Sequence, residues 1–310
     1  MGKEIFRGFI KMTIVRNLGK IIYKNLLKLF AGSGLRSFRF IEKINLFVRI
    51  KLKPDSIITK KYGHKMFLDK IDSLYLSVNK DWGDYEKEIL ENNIWEGNVV
   101  LDIGANIGFY TLIMAKLVGE KGKVYAFEAD PTNFNILKKN VEVNGYKNII
   151  LVNKAILDCN KTIKFYVDKG NTAGNSLFKG NKQKYNEIES VKLEDYFPEN
   201  QKIDFIKIDI EGSEGRAIKG MTNLLDKNKK IKIITEFYPK LLNGVGKEVD
   251  LNAEDYLKFL RKKGFKLYDI DDKTKSLVLL SDKEILEKCG KQWTNLLCVK
   301  QDLKEKRKDY

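Results

Sequence analysis

Residues 99–130 read VVLDIGANIGFYTLIMAKLVGEKGKVYAFEAD. The opening run Val99-Val100-Leu101 is too short for a helix and β-branched enough for a buried strand. Asp102 follows at its end, and Gly104-Ala105-Asn106-Ile107-Gly108 makes a tight turn. From Phe109 to Val118 apolar residues recur every three to four positions, as on a helix. Val124–Phe127 is a second strand, and it ends in Glu128, about twenty positions after the glycine turn. Strand, glycine turn, helix, strand and acid in that order predict an α/β chain with a doubly wound, Rossmann-like sheet.

The residue types in the turn narrow the ligand. Gly104 and Gly108 remove side chains where a ligand touches backbone, and Ala105 and Asn106 between them share that contact. An acid at the second strand end, Glu128 beside Ala129, can accept both hydroxyls of a ribose. The spacing DxGxNxG is not GxGxxG, and a carboxylate beside the turn repels phosphate and attracts ammonium. S-adenosylmethionine meets both requirements, with its ribose at Glu128 and its cationic methionine end on the Asp102 side. The bland alternative is a strand–turn–helix whose glycines only make the bend.

Three stretches together carry a likeness to a known family: DIGANIGFYTL at 102–112, KVYAFEADPTNF at 123–134 and IDFIKIDIEGSE at 203–214. Over about residues 62–300 the chain resembles the FkbM-type S-adenosylmethionine-dependent methyltransferases. The resemblance implies methyl transfer, usually to a hydroxyl on a sugar, glycan, glycolipid or secondary metabolite. It implies a mostly parallel seven-stranded sheet closed by an antiparallel last strand. It also implies that Glu86 helps hold the methionine end of the cofactor and that Asn153 and Ala155, at the end of the third strand, touch the adenine. Glu86 has a plainer reading too, as a first-turn acid complementing the helix dipole.

Composition sets the outer limits. A chain of 310 residues holds one substantial α/β domain and an appendage. Cys159, Cys289 and Cys298 show no CxxC spacing, which favours a reducing compartment and argues against zinc. No run of uncharged apolar residues is long enough to span a bilayer, lysines and arginines interrupt every candidate signal core, and MGKEIF lacks the residue of a myristoylation signal. The net charge of +16 is concentrated: residues 1–65 hold 16 Lys or Arg against Glu4, Glu42 and Asp55. The expected organisation is a basic helical leader at 1–61, a methyltransferase domain at 62–302 and a frayed tail at 303–310.

In the leader, Phe6, Phe9, Ile10, Ile14, Leu18, Ile21, Ile22 and Leu26 fall at helical spacing among basic residues, and 38–52 repeats the pattern. Basic amphipathic helices over 4–52 suit an anionic membrane surface, which would make the protein cytoplasmic or peripheral at a membrane. Apolar faces of this kind pack equally well on the domain or on a second subunit. Arginine is scarce and polar base-readers are absent, which counts against a nucleic-acid arm.

Along the domain, residues 62–79 read as two short strands with a turn near Lys70, carrying His64, the only histidine and a secondary candidate base. Asp130 caps a helix that opens on Pro131 and stops at Gly145. Residues 170–176 form a glycine- and amide-rich loop, where Asn175 and Ser176 are candidates to bind the acceptor, and residues 179–190 read as mobile. Ile203–Asp209 is a fourth central strand, followed by a helix capped by Ser213 and running to Leu225. Asp102, Glu128, Asp209 and Glu236 then converge at the carboxyl ends of strands, where open α/β sheets bind ligands. Asp209 and Glu211 are the leading catalytic candidates, one of them taking the proton of the attacking hydroxyl. Glu236 is a substrate-side candidate, and Asp209 with Glu236 is a pair that could also hold Mg2+. Two other functions stay open: an RNA methyltransferase, and a non-catalytic membrane-associated protein on a cofactor-type fold.

Overall fold

In the computed structural model of the protein, the described residues are 47, 48, 50, 51, 53–59, 62–77, 83–167, 174–177, 179, 184–244, 251–290 and 292–301. The expected leader helices therefore lie outside the described residues, apart from four helical positions at 47–51, and so does the tail from 302. The chain divides into two compact units, residues 1–82 with 170–172, and residues 83–169 with 173–310. The expected boundary at 61/62 thus falls inside the first unit.

The first unit contains a hairpin, β1 (Ser56–Ile58) antiparallel to β2 (Lys65–Phe67). Sequence reasoning placed both strands within 62–79 and their turn near Lys70. β1 and β2 are instead tied by the Thr59 N–H donating to the His64 carbonyl at 2.8 Å, and residues 69–77 are a chain of turns held by side chains. Asp69 Oδ1 accepts from the Ile71 N–H at 2.8 Å, and its Oδ2 accepts from the Ser73 N–H at 2.9 Å. Aspartates that bond their own backbone in this way compete with strand pairing.

The second unit is built on one large sheet. Its strands are β3 (Val99–Ile103), β4 (Lys123–Phe127), β5 (Ile149–Val152), β9 (Phe205–Ile208), β10 (Lys232–Phe237), β11 (Lys266–Asp271), β12 (Ser276–Leu279) and β13 (Thr294–Val299). Their spatial order is β12-β11-β13-β10-β9-β3-β4-β5. From β10 through β9, β3 and β4 to β5 every pairing is parallel, whereas β13 runs antiparallel between β10 and β11. The expected seven strands are present, and β12 adds an eighth at the edge, antiparallel to β11. The reversal of strand order beside β3 makes the switch point at which such sheets bind ligands.

A second, three-stranded sheet of β6 (Ala155–Ile156), β7 (Thr162–Val167) and β8 (Lys184–Val191) is inserted between β5 and β9. β8 corrects the expectation that 179–190 is mobile. Its inward positions are Ile188 and Ser190, a single apolar residue among polar ones, so the alternation is faint in sequence.

Helices cover the large sheet. α1 (Asp84–Asn93) precedes β3, α2 (Phe109–Val118) joins β3 to β4, and α3 (Pro131–Asn144) joins β4 to β5. α3 starts and stops as its sequence indicates: Asp130 accepts from the N–H groups of Thr132 and Asn133, and Gly145 ends it at φ 74°. The expected single helix after Ser213 is two short ones, Glu214–Lys219 and Thr222–Lys227. They part at Gly220, which lies so close to the Leu157 carbonyl that a Cβ there would sit 1.9 Å from its oxygen. Ser213 occupies the cap position, but its hydroxyl caps nothing. The core is the apolar face between sheet and helices, including Leu101, Ile103, Ile206, Ile208, Ile233 and Tyr256, each at most 1% exposed.

Candidate active site

The parallel register sets the site. Asp102 on β3 is level with Ala126 on β4 and with Lys207 on β9, and Lys207 is level with Ile234 on β10. Residues level with one another point to one face of a sheet, and so do residues two apart on a strand. Lys207 and Asp209 thus share a face with Asp102 and Glu236, and Asn295 of β13 stands opposite Glu236.

The glycine turn between β3 and α2 is held from three sides. Gly104 and Ala105 donate their N–H groups to the Phe127 carbonyl at 2.9 and 3.0 Å. Gly104 has φ +85°, and a Cβ there would lie 1.9 Å from the Asp209 carbonyl oxygen. No other residue permits β9 to leave the sheet so close to the turn. Asn106, at φ 52°, donates its N–H to Glu128 Oε2 at 2.8 Å. From α3, the buried Asn140 amide reaches back to the Ile107 carbonyl at 2.7 Å. Gly108 caps α2 at φ 93°.

Glu128 is fixed by its own surroundings. Oε2 accepts from Asn106 and Oε1 from the Asp130 N–H, both at 2.8 Å, so each oxygen keeps further lone-pair capacity. Burial pushes its pKa up to about 7, against the two backbone donors that favour the charged form. Asn153 is exposed and uses its amide to hold the carbonyls of Glu128 at 2.7 Å and Ala129 at 3.2 Å. Ala155, expected beside the adenine, starts β6 and pairs with Ser190 of β8.

Beneath the turn lies a buried polar network. Asp102, 1% exposed, accepts from the Thr111 hydroxyl of α2 at 2.6 Å. Lys207, 4% exposed, sets its Nζ 2.9 Å from Asp209 Oδ2 and 4.6 Å from the centre of the Tyr110 ring. Glu86 of α1 accepts from the Tyr110 hydroxyl on one oxygen and from the Asn295 amide on the other. Burial raises the pKa of Glu86 and of Asp102, and in both the Lys207 charge works in the opposite direction. Burial also opposes the charge on Lys207, but Asp209, Glu86 and Asp102 together hold its pKa above the ordinary value.

A second acidic group surrounds the exit of β9. Glu211 stands at φ 54°. Glu214 is buried and accepts from the Ile210 N–H at 3.0 Å. Burial lifts Glu214 to about 7 and Glu236 well above its ordinary value, with Asp209 adding to both. Glu236 Oε2 and Ser213 Oγ are buried without a hydrogen-bond partner among the described residues. No set of three His, Cys, Asp or Glu among the described residues forms a metal-ligand group. Asp209 already has a cationic partner in Lys207, so the expected Mg2+ pair of Asp209 and Glu236 finds no support.

Of the remaining expected residues, Asn175 and Ser176 are buried, and Ser176 exchanges two backbone hydrogen bonds with Tyr166 at the end of β7. The loop residues 170–173 before them lie outside the described residues. His64 belongs to the first unit, in the β1–β2 turn, with its N–H donating to Thr59 Oγ1 at 2.9 Å and its ring stacked on Tyr62. Sequence reasoning passed over Thr111, Tyr110, Lys207, Glu214 and Asn295. Lys207 alone left a signal, a charge inside the apolar run Phe205–Ile208.

The profile of the family described as "Methyltransferase FkbM domain" matches residues 102–267, and the chain belongs to that family. Its motifs at 102–134 and 203–214 lie in the glycine turn, at Glu128 and at the β9 exit described above. The chain is 41% identical over 59 residues to a protein-L-isoaspartate O-methyltransferase of Methanococcoides burtonii, covering 19% of this chain and 29% of that protein. It is 37% identical over 59 residues to a Sulfolobus acidocaldarius protein named "Probable cobalt-precorrin-6B C(15)-methyltransferase (decarboxylating)", covering 19% of this chain and 31% of that one. These matches span less than a third of either relative. Among solved structures, a SAM-dependent methyltransferase from Aquifex aeolicus aligns over 70% of this chain and 90% of its own, at 19% identity and a TM-score of 0.40.

Proposed function

We propose that the protein transfers the methyl group of S-adenosylmethionine to a hydroxyl of an acceptor, with sugars, glycans, glycolipids and hydroxylated secondary metabolites as the acceptor class. The observation that carries this reading is the set of strand-end carboxylates around the glycine turn. Glu128 is fixed by two backbone N–H groups and keeps an accepting position on each oxygen for a pair of ribose hydroxyls. Glu86, Asp102 and Asp209 outnumber the single lysine among them, which leaves the surplus negative charge that suits an ammonium and a sulfonium. Asn106 is only partly buried at the turn, and the glycine at 108 is required by the fold, since a Cβ there would lie 2.6 Å from Leu137 Cδ1.

When bound, the donor supplies an electrophilic methyl on a positively charged sulfur. The chain's own part is to align the acceptor oxygen with that methyl and to accept its proton. Asp209 is held by Lys207 at 2.9 Å, which makes it a well-fixed hydrogen-bond acceptor, suited to orienting the acceptor hydroxyl. Glu211, on the exit loop two residues further, is assigned the proton in this reading. Glu236 and Ser213, with unpartnered buried oxygens, are the next acceptors along the same edge.

Calorimetry with S-adenosylmethionine tests the donor. Wild type is expected to bind, with at least tenfold weaker binding in Glu128→Ala and Asp102→Ala. Absence of binding by folded wild type overturns the reading. Methyl release assayed against glycan, glycolipid and small phenolic acceptors then separates the acceptor classes, and Glu211→Gln is expected to lower kcat at least a hundredfold with little change in donor affinity.

A further inference from the structure

Lys207 touches no reacting atom in the chemistry just described, yet it is the cation around which the carboxylates are arranged. It sits in a strand whose other residues, Phe205, Ile206 and Ile208, are fully buried and apolar. An ammonium in such a place persists only when it is paired on several sides. Every packed element contributes a group. Asp209 comes from the end of its own strand, at 2.9 Å, and Asp102 is its partner in register on β3. Tyr110 of α2 presents its ring face, and Glu86 of α1 is bonded to the Tyr110 hydroxyl. Glu236 on β10 lies within the field of Lys207, and Asp272, after β11, acts on Glu86 and Tyr110.

Resting on the methyltransferase reading, we infer that Lys207 is a positioning residue: its ammonium clamps the Asp209 carboxylate at the exit of β9 and supplies the countercharge that lets Glu86, Asp102 and Asp209 stand together as carboxylates where the cationic end of the donor is received. Without a cation the buried Glu86 and Asp102, standing near the Asp209 charge, hold on to protons, because each further charge must form beside another in a poorly solvated space. A cationic ligand must then expel those protons before it can bind. With Lys207 in place the carboxylates are charged beforehand, and one of them is fixed in position.

Lys207→Met and Lys207→Arg test the inference in two arms. In the first, S-adenosylmethionine binding is measured by calorimetry in buffers of different ionisation heat, from about pH 6 to about pH 9, which counts the protons released. Lys207→Met is expected to bind at least tenfold more weakly near pH 6.5, to recover much of that loss near pH 9, and to release about one proton more than wild type. Lys207→Arg is expected to release the same number as wild type. A loss in Lys207→Met that is equal at every pH, with unchanged proton release, overturns the inference.

The second arm needs no donor: the denaturation midpoint is followed against pH. In Lys207→Met the acids hold protons in the folded state that the unfolded chain loses, so its stability falls as pH rises, more steeply than in wild type. Adding Asp209→Asn is expected to restore the shallower slope and serves as the measurable background if Lys207→Met does not fold alone. Slopes that match wild type in Lys207→Met, or that do not change on adding Asp209→Asn, overturn the clamp. If wild type fails to bind the donor, the first arm rejects the methyltransferase reading while the second still decides the role of Lys207.

Discussion

Glu128 shows how much one side chain carries. Its carboxylate ties the glycine turn to the start of α3 and faces the ribose position with its remaining lone pairs. Its pKa stands near 7 when folded and near 4.5 ordinarily, so between those values the folded protein keeps a proton that the unfolded chain has lost. Stability from this group is therefore fully present below about pH 4.5 and falls as pH rises to about 7, by on the order of 3 kcal/mol. Glu214, also raised to about 7, contributes in the same direction. Hydroxyls that donate to Glu128 favour its ionised form, so donor affinity is expected to climb from about pH 5.5 to about pH 7.5 and then level off. Glu128→Gln should flatten both curves, in denaturation and in calorimetry alike. At this scale Glu128 was readable in advance, because its position after a strand and a glycine turn specifies its task. Lys207 was not, because its partners Asp102 and Glu86 lie more than a hundred positions away in the chain, the first meeting it through the register of β9 with β3 and the second through the packing of α1.

At the scale of elements, local chemistry and tertiary context divide the outcome. The segment from β3 through α2 and β4 to α3 follows its sequence closely, since each boundary has a local cause: the glycines of the turn, the Asp130 cap, and Gly145. Removing the Asp130 cap in Asp130→Ala leaves two N–H groups of α3 without an acceptor and should cost about 1–2 kcal/mol, read from denaturant midpoints. Donor affinity should change little, because the backbone N–H at 130 that bonds Glu128 Oε1 is kept in alanine. Elements shaped by distant contacts were harder to read. The helix after Ser213 breaks at Gly220 because the Leu157 carbonyl approaches there, and nothing within 213–225 announces that approach. β8 carries too few apolar residues to show its period.

For the whole molecule, the sheet order agrees with the expected class. The uneven charge remains the strongest feature of the chain beyond its fold. Among the described residues no helix is long and apolar enough to cross a membrane. We propose that the basic sequence of residues 4–52, with apolar residues at helical spacing, attaches the protein to an anionic surface without spanning it. Vesicles containing anionic lipid are expected to co-sediment the protein and to release it as salt rises. Replacing Lys11, Lys20, Lys24 and Lys28 with Glu should abolish sedimentation and leave donor affinity unchanged. The bond from Asn295 to Glu86 has a consequence for how the protein comes into being. It joins residues 209 positions apart, and the strand bearing Asn295 inserts between β10 and β11 rather than adding at an edge. A ribosome must therefore have released everything from the first helix of the site to β13 before the pocket can close. Until then the nascent chain exposes the open flanks of β10 and β11, the interval in which a chaperone has most to protect.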